Sequence, residues 1–220
     1  MNVAIVLYDG FTALDAIGPY EVLSRLPGAR VTFLAREAGP VRTDNQMLTI
    51  LAEHSLAELP RPEIVLVPGG PGDVVERAGD EVLEWLRQAD QTSTWTTSVC
   101  TGSLILAAAG LLAGRRATSH WLALEELRRL GVEAVSERVV FDGKLVTAAG
   151  VSAGIDMALT FAARIAGDTV AQAIQLGIEY DPQPPFDAGS PRSAPAEIVE
   201  LVRGLSPRVQ EQGTDALSVP

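Results

Sequence analysis

Short strand-like runs recur along this chain, each closed by a turn and followed by a helical stretch. Val3–Tyr8, Arg30–Ala35, Glu63–Val67 and Ser93–Val99 are the clearest; the last is rich in Thr and Ser. Apolar runs of this length, rich in β-branched residues, read as strands buried on both faces. Between them Ala13–Leu26, Asp80–Ala89 and Gly102–Leu112 read as helices. Gly18-Pro19 predicts a break or a fresh first turn in the first of these, and Gly114 closes the third. Strands alternating with helices predict an α/β fold with a mostly parallel central sheet covered on both faces.

The remaining elements are shorter. Ala38-Gly39-Pro40 reads as a turn, and Leu48–Leu51, Arg116–Ser119, Val132–Val135, Val139–Phe141 and Leu145–Thr147 as brief strands. Asp142-Gly143 predicts a hairpin between the last two. Ser55 is placed to cap a helical turn that Pro60 stops. Trp121–Leu130 is amphipathic, with Gly131 as its C-cap. Ala153–Ala166, Val170–Ile178 and Ala196–Leu205 read as helices, and Asp181–Phe186 as extended chain.

At 220 residues the chain has the length of one domain with additions. No composition shift or repeat divides it. The expectation is a single domain over 1–205, with a proline-rich C-terminal extension from about 181 and a flexible tail over 206–220. Hydrophobic residues make up 47% and charged residues 20%, which excludes wholesale disorder. The net charge of −11 and the lack of any Arg/Lys run argue against nucleic acid as a partner. No apolar stretch reaches membrane-span length, so no membrane role is expected. The N-terminus enters the first strand without a basic leader or an Ala-x-Ala site, which points to a cytoplasmic protein.

The only cysteine, Cys100, excludes an intramolecular disulfide, and two histidines exclude a multi-histidine metal site within one chain. Cys100 lies in Thr97-Ser-Val-Cys-Thr-Gly-Ser, where a strand passes into a helix opened by Gly102. That is the layout of a nucleophile elbow, in which a sharp turn presents the side chain away from the core. A helix N-terminus there favours thiolate over thiol. The competing reading is a buried cysteine acting as a small hydrophobe.

Three further clusters could serve such a thiol. Pro68-Gly69-Gly70 could aim backbone amides, with that of Thr101, at a developing anion, or be an ordinary turn. Asp15 lies among apolar residues; near a thiolate, desolvation and like-charge repulsion would raise its pKa and make it a proton donor. Its alternative is an acid in a solvent-facing loop, and Glu21 is a surface rival. Of the histidines, His54 sits in a polar stretch and reads as exposed, whereas His120 with Trp121 could line a pocket. Thr101, not histidine, follows the cysteine, which weakens an ordinary Cys-His dyad. Gly150-Val-Ser-Ala-Gly-Ile-Asp opens a helix that either binds a ligand or packs beside the elbow. Trp95 and Tyr20 read as core or pocket wall.

Taken together, Val67-Pro-Gly-Gly, Ser98-Val-Cys-Thr-Gly-Ser, Ala117-Thr-Ser-His-Trp and Ala149-Gly-Val-Ser-Ala-Gly-Ile-Asp resemble the DJ-1/PfpI superfamily of glutamine-amidotransferase-like proteins. Leu14-Asp-Ala-Ile-Gly-Pro and the tail Pro184-Pro-Phe-Asp-Ala-Gly-Ser-Pro narrow the resemblance to its isonitrile hydratase subgroup. The resemblance implies a flavodoxin-like three-layer sandwich and a homodimer. It implies Cys100 as nucleophile, Asp15 as general acid/base and Thr101 as a further site residue; the residue reading adds Gly69, Gly70, His120 and Trp121 as oxyanion- or substrate-binding candidates. The resemblance also implies hydration of a small isonitrile to an N-substituted formamide, without cofactor or metal. Glyoxalase or deglycase chemistry, and cysteine-based oxidation sensing without turnover, are the alternatives in the same superfamily.

Overall fold

The computed structural model describes residues 1–205, so the tail expected over 206–220 lies outside the described residues. The chain begins with β1 (Asn2–Val6), α1 (Ala13–Leu23), β2 (Arg30–Ala35), β3 (Gly39–Arg42), β4 (Thr49–Ala52) and β5 (His54–Ser55). It continues through β6 (Ile64–Val67), α2 (Val74–Asp90), β7 (Trp95–Val99), α3 (Gly102–Ala108) and β8 (Arg116–Ala117). Then follow α4 (Leu124–Arg129), β9 (Glu133–Ala134), β10 (Val139–Asp142), β11 (Leu145–Ala148), α5 (Ala153–Ala166), α6 (Asp168–Gly177) and α7 (Ala196–Leu205).

Seven strands form the main sheet in the order β10-β11-β7-β6-β1-β2-β5. All its pairings are parallel except β10 with β11. The four residues of β6 are buried on both faces, as their unbroken Ile-Val-Leu-Val run requires. Helices α1 and α5 pack together, as do α2 and α3. The result is the three-layer α/β sandwich expected from the sequence. β1 leads to β2 on one side, and the chain later returns to place β6 on its other side, so strand order reverses between β1 and β6. Ligands of open α/β sheets bind at the strands' C-terminal ends near such a reversal.

Several local expectations change. Gly18-Pro19 does not break the first helix; Pro19 lies inside α1. Its ring packs against Gly154, where a Cβ would lie 3.0 Å from Pro19 Cγ, so the α1–α5 contact holds the segment helical. Ala38-Gly39-Pro40 leads into β3, which pairs with β4 as a separate hairpin. Helix α2 begins at Val74, with Asp73 accepting from the Val75 and Glu76 amides, and kinks at Gly79, just before the expected start. Helix α3 ends before Gly110 rather than at Gly114. Gly110 takes φ 83°, and the next amide, Leu111 N–H, reaches back to the Leu106 carbonyl at 3.0 Å. Between Asp142 and Leu145, which pair, the hairpin loop is Gly143-Lys144. Ser55 does cap its short helical turn: the Glu58 carboxylate accepts both its N–H and its hydroxyl.

Candidate active site

Three sheet strands deliver the central residues. β7 ends at Val99, and Cys100 makes the corner into α3 with φ 58°, a left-handed conformation that non-glycine residues rarely adopt. The corner is tied on both sides. The Cys100 amide donates to the Ala148 and Ala149 carbonyls at 3.1 and 2.9 Å. Its carbonyl accepts the Ser103 and Ser119 hydroxyls at 3.2 and 3.0 Å. Two glycines let the turn after β6 press against this corner. A Cβ on Gly69 would collide with the Thr101 amide, and one on Gly102 with the Val67 carbonyl. The elbow expected from the sequence is therefore present.

The charge state of the thiol differs from that expectation. Cys100 is only 5% exposed. Burial, followed by the negative charge of Asp15, pushes its pKa up to about 12. The amides of Val151 and Thr101 and the Thr101 hydroxyl act in the opposite direction but do not prevail. Burial and the neighbouring carboxylate thus favour the thiol over the thiolate, because desolvation outweighs a few amide dipoles.

Asp15 projects from α1, which follows β1, and is fully buried. The reading of a solvent-facing acid is overturned. Its Oδ2 accepts the Gly69 N–H at 2.9 Å. Its Oδ1 has no partner of good hydrogen-bond geometry among the described residues, which suits a carboxyl that keeps its proton. Desolvation raises the Asp15 pKa to about 7; the Gly69 amide and a loose contact with the Cys100 thiol hold it down, and the Asp44 charge raises it further. Two buried acids in contact cannot both ionise near neutrality, so the pair carries at most one negative charge there.

The glycine turn does something other than expected. The Gly69 amide holds Asp15, and the Gly70 amide donates to Thr101 Oγ1 at 2.8 Å. Thr101 in turn donates to the Gly70 carbonyl at 2.7 Å. Both amides are committed to positioning site residues, and neither is left to receive an anion.

Cys100 and Thr101 open onto a cavity of about 350 Å³. Thr12, Asp44, Gly70 and His120 supply polar atoms to its wall, while Leu122, Val151, Val202 and Leu205 make an apolar side. Asp15 is not part of that wall and lies behind the sulfur. His120 caps the following helical turn, its Nδ1 accepting the Leu122 N–H at 3.3 Å. Trp121 does not face this cavity. It lines an adjoining one of about 370 Å³, which shares His120 and Val151 with the first and is walled by Gly189–Arg192.

Other candidates fall elsewhere. Glu21 pairs with Arg25 on the surface, and exposed His54 approaches Glu58 at 3.9 Å. Trp95 packs edge-on against Phe161 at 5.1 Å in the core, and Tyr20 lies against Phe33. The 150–156 segment packs beside the elbow, with Val151 at φ 26° turning its amide toward the sulfur. Asp44, Thr12, Val151, Val202 and Leu205 are site residues the sequence reading missed. Only Val151 had a signal, its place between the glycines of that segment. Among the described residues, no group of three or more His, Cys, Asp or Glu side chains is arranged to hold a metal ion.

An α/β sandwich with a cysteine at positive φ on a strand-to-helix corner, and a buried carboxyl behind it, defines a cysteine-centred class built on the nucleophile elbow. The chain belongs to the DJ-1/PfpI family, whose pattern matches residues 1–164. It is 40% identical over 203 residues to the isonitrile hydratase of Pseudomonas putida, covering 92% of this chain and 89% of that one. It is 30% identical over 182 residues to the HTH-type transcriptional regulator CdhR of Pseudomonas aeruginosa, covering 80% of this chain but 53% of the regulator. The crystal structure of a ThiJ/PfpI family protein from Pseudomonas syringae superposes with TM-score 0.89 at 36% identity, over 93% of this chain and 85% of that one.

Proposed function

We propose that this protein is an isonitrile hydratase, adding water to R–N≡C to give the N-substituted formamide, with Cys100 as nucleophile and Asp15 as general acid/base. The observation that carries this reading is the buried Asp15–Cys100 pair, together with the 40% identity to a hydratase of that name over nearly the whole chain. An isonitrile carbon accepts both a proton and a nucleophile. In the proposed first step the Asp15 O–H proton goes to that carbon as Cys100 Sγ bonds to it. The S–H proton passes to the freed Asp15 carboxylate. The product is a neutral thioimidate, R–N=CH–S–Cys100, and Asp15 is again protonated. Water then adds to the thioimidate carbon, the C–S bond breaks, and formamide and thiol are released.

This chemistry matches the committed glycine amides. Adding a thiol to an isonitrile creates no oxyanion, whereas attack on a carbonyl, as in glyoxalase or deglycase chemistry, creates one that needs aimed donors. A protonated thiol also argues against a peroxide sensor, which depends on thiolate. We assign Thr101 to holding the glycine turn and His120 to the cavity wall. The apolar side formed by Val202 and Leu205 is where the R group would lie.

The reading includes a small-molecule substrate, no nucleic acid partner, no cofactor or metal, and a cytoplasmic homodimer. No described helix is long and apolar enough to cross a membrane. Exposed Ile198, Leu201 and Leu205 on α7 and Phe186 before it are compatible with a partner subunit. Residues 1–205 are read as one functional domain, because α7 contributes to the Cys100 cavity. The test is formamide production from a panel of alkyl and aryl isonitriles, with Cys100→Ala and Asp15→Ala as controls. Formamide from the wild type and not from either variant is expected. Normal turnover by Cys100→Ala would exclude the covalent route, and turnover of methylglyoxal without any formamide would overturn the assignment.

A further inference from the structure

We propose that Asp44 is the base that activates water in the second half of the reaction, so the two carboxyls divide the work: Asp15 serves thioimidate formation and Asp44 its hydrolysis. The assignment rests on the hydratase reading above and extends it.

The second step needs a proton acceptor that water in the cavity can reach. Asp15 is fully buried and absent from the cavity wall, so it meets a carbon seated at the Cys100 sulfur but not a water held elsewhere in the cavity. Once the thioimidate forms, the sulfur and its new substituent stand between Asp15 and the cavity. Asp44 is the one carboxylate among the described residues of that wall. His120 is excluded as a base by its own geometry. Its Nδ1 lone pair takes the Leu122 N–H, which in the neutral ring puts the proton on Nε2 and leaves neither nitrogen as an open acceptor. The Thr101 hydroxyl proton is held by the Gly70 carbonyl.

Asp44 is also held in place as a catalytic base should be. Its Oδ2 accepts the Thr12 hydroxyl at 2.7 Å, and its Oδ1 accepts the Asn45 N–H at 2.7 Å. Its own amide donates to the Phe11 carbonyl at 2.9 Å, beside the Phe11–Thr43 bridge that ties the segment to the loop after β1. A carboxylate has about four acceptor positions, and these two bonds leave room for a water. Its negative charge is felt at Asp15, which places the two acids around one centre.

The step balances without any further reactant. Asp44 takes one proton from water as the water oxygen bonds to the thioimidate carbon, and passes that proton to the imine nitrogen. The adduct R–NH–CH(OH)–S–Cys100 collapses as the C–S bond breaks. The hydroxyl proton ends on sulfur, giving R–NH–CHO and the free thiol.

The experiment uses the full-length protein with n-butyl isonitrile, rapid quenching, and intact-mass detection of the Cys100 adduct beside formamide release. In Asp44→Asn the adduct is expected to form at near wild-type rate and accumulate toward one per chain, while formamide release falls about 100-fold. In Asp15→Asn the adduct does not form. Added formate is expected to speed adduct breakdown in Asp44→Gly, which a merely structural role would not produce. Asp44→Asn turning over within about threefold of wild type, or losing adduct formation and turnover together, overturns the assignment. Wild-type protein that yields neither adduct nor formamide overturns the hydratase reading itself, and this assignment with it.

Discussion

Cys100 is held in a left-handed conformation by four hydrogen bonds to its backbone, while its side chain is almost out of reach of water. That combination separates position from reactivity: the corner presents the sulfur to a cavity, and burial keeps its proton on. Iodoacetamide at pH 8 should therefore alkylate Cys100 at least about tenfold more slowly than a free thiol. Labelling at the rate of glutathione, followed by mass spectrometry, would show that the thiol is ionised after all. The corner itself depends on missing side chains. Gly102→Ala places a methyl against the Val67 carbonyl and should destabilise the fold by about 3 kcal/mol, read from the urea midpoint. An unchanged midpoint would mean that the two turns can separate freely. The sequence showed where the nucleophile stands, because Gly102 and the strand-to-helix switch are local signals. It did not show the protonation state, which depends on atoms brought from α1 and from the turn before α5.

At the scale of elements, the C-terminal helix is the least packed and the most informative about substrate. α7 carries Ile198, Leu201, Val202 and Leu205 at i, i+3, i+4 and i+7, a stripe on one helical face. Val202 and Leu205 reach the Cys100 cavity, and Arg203 stacks on Trp121 at 5.7 Å. Replacing Val202 by Phe should shorten the apolar side and raise KM for bulky isonitriles at least about fivefold, with a smaller change for methyl isonitrile. A uniform change across the panel would place the R group elsewhere. Element identity followed periodicity closely for β2, α5 and α7, which have the expected bounds. It failed where a distant neighbour decides. Pro19 would end an isolated helix, yet α1 continues through it because the ring docks onto Gly154. β5 is two residues long and exists only as an edge partner of β2, with no period to read.

For the whole molecule, the buried acid links stability to pH. Asp15 ionises near 3.8 in the unfolded chain and at about 7 in the fold. Between those values the fold keeps a proton that the unfolded chain has lost. The contribution is therefore fully present below pH 4 and is lost as pH rises through 7, to the extent of a few kcal/mol for this group alone. Asp15→Asn keeps an acceptor for the Gly69 amide and has no charge to bury. Its Tm should exceed that of the wild type at pH 8, with the difference vanishing toward pH 4. Parallel Tm–pH curves from scanning calorimetry would refute the burial of this carboxyl. The variant that gains stability should lose adduct formation, so stability and activity trade against each other at one atom pair.

The amino-acid sequence by itself determined the layered α/β architecture, the elbow at Cys100 and the family, because buried strands, helix starts and tight turns are written in local patterns of size and polarity. Tertiary structure alone decided the chemistry of the site. It sealed Asp15 behind the thiol, turned the Gly69 and Gly70 amides to internal partners, and brought Asp44 and α7 to the cavity. Desolvation and hydrogen-bond commitment depend on what surrounds an atom in space, and residues separated by tens or hundreds of positions along the chain provide those surroundings.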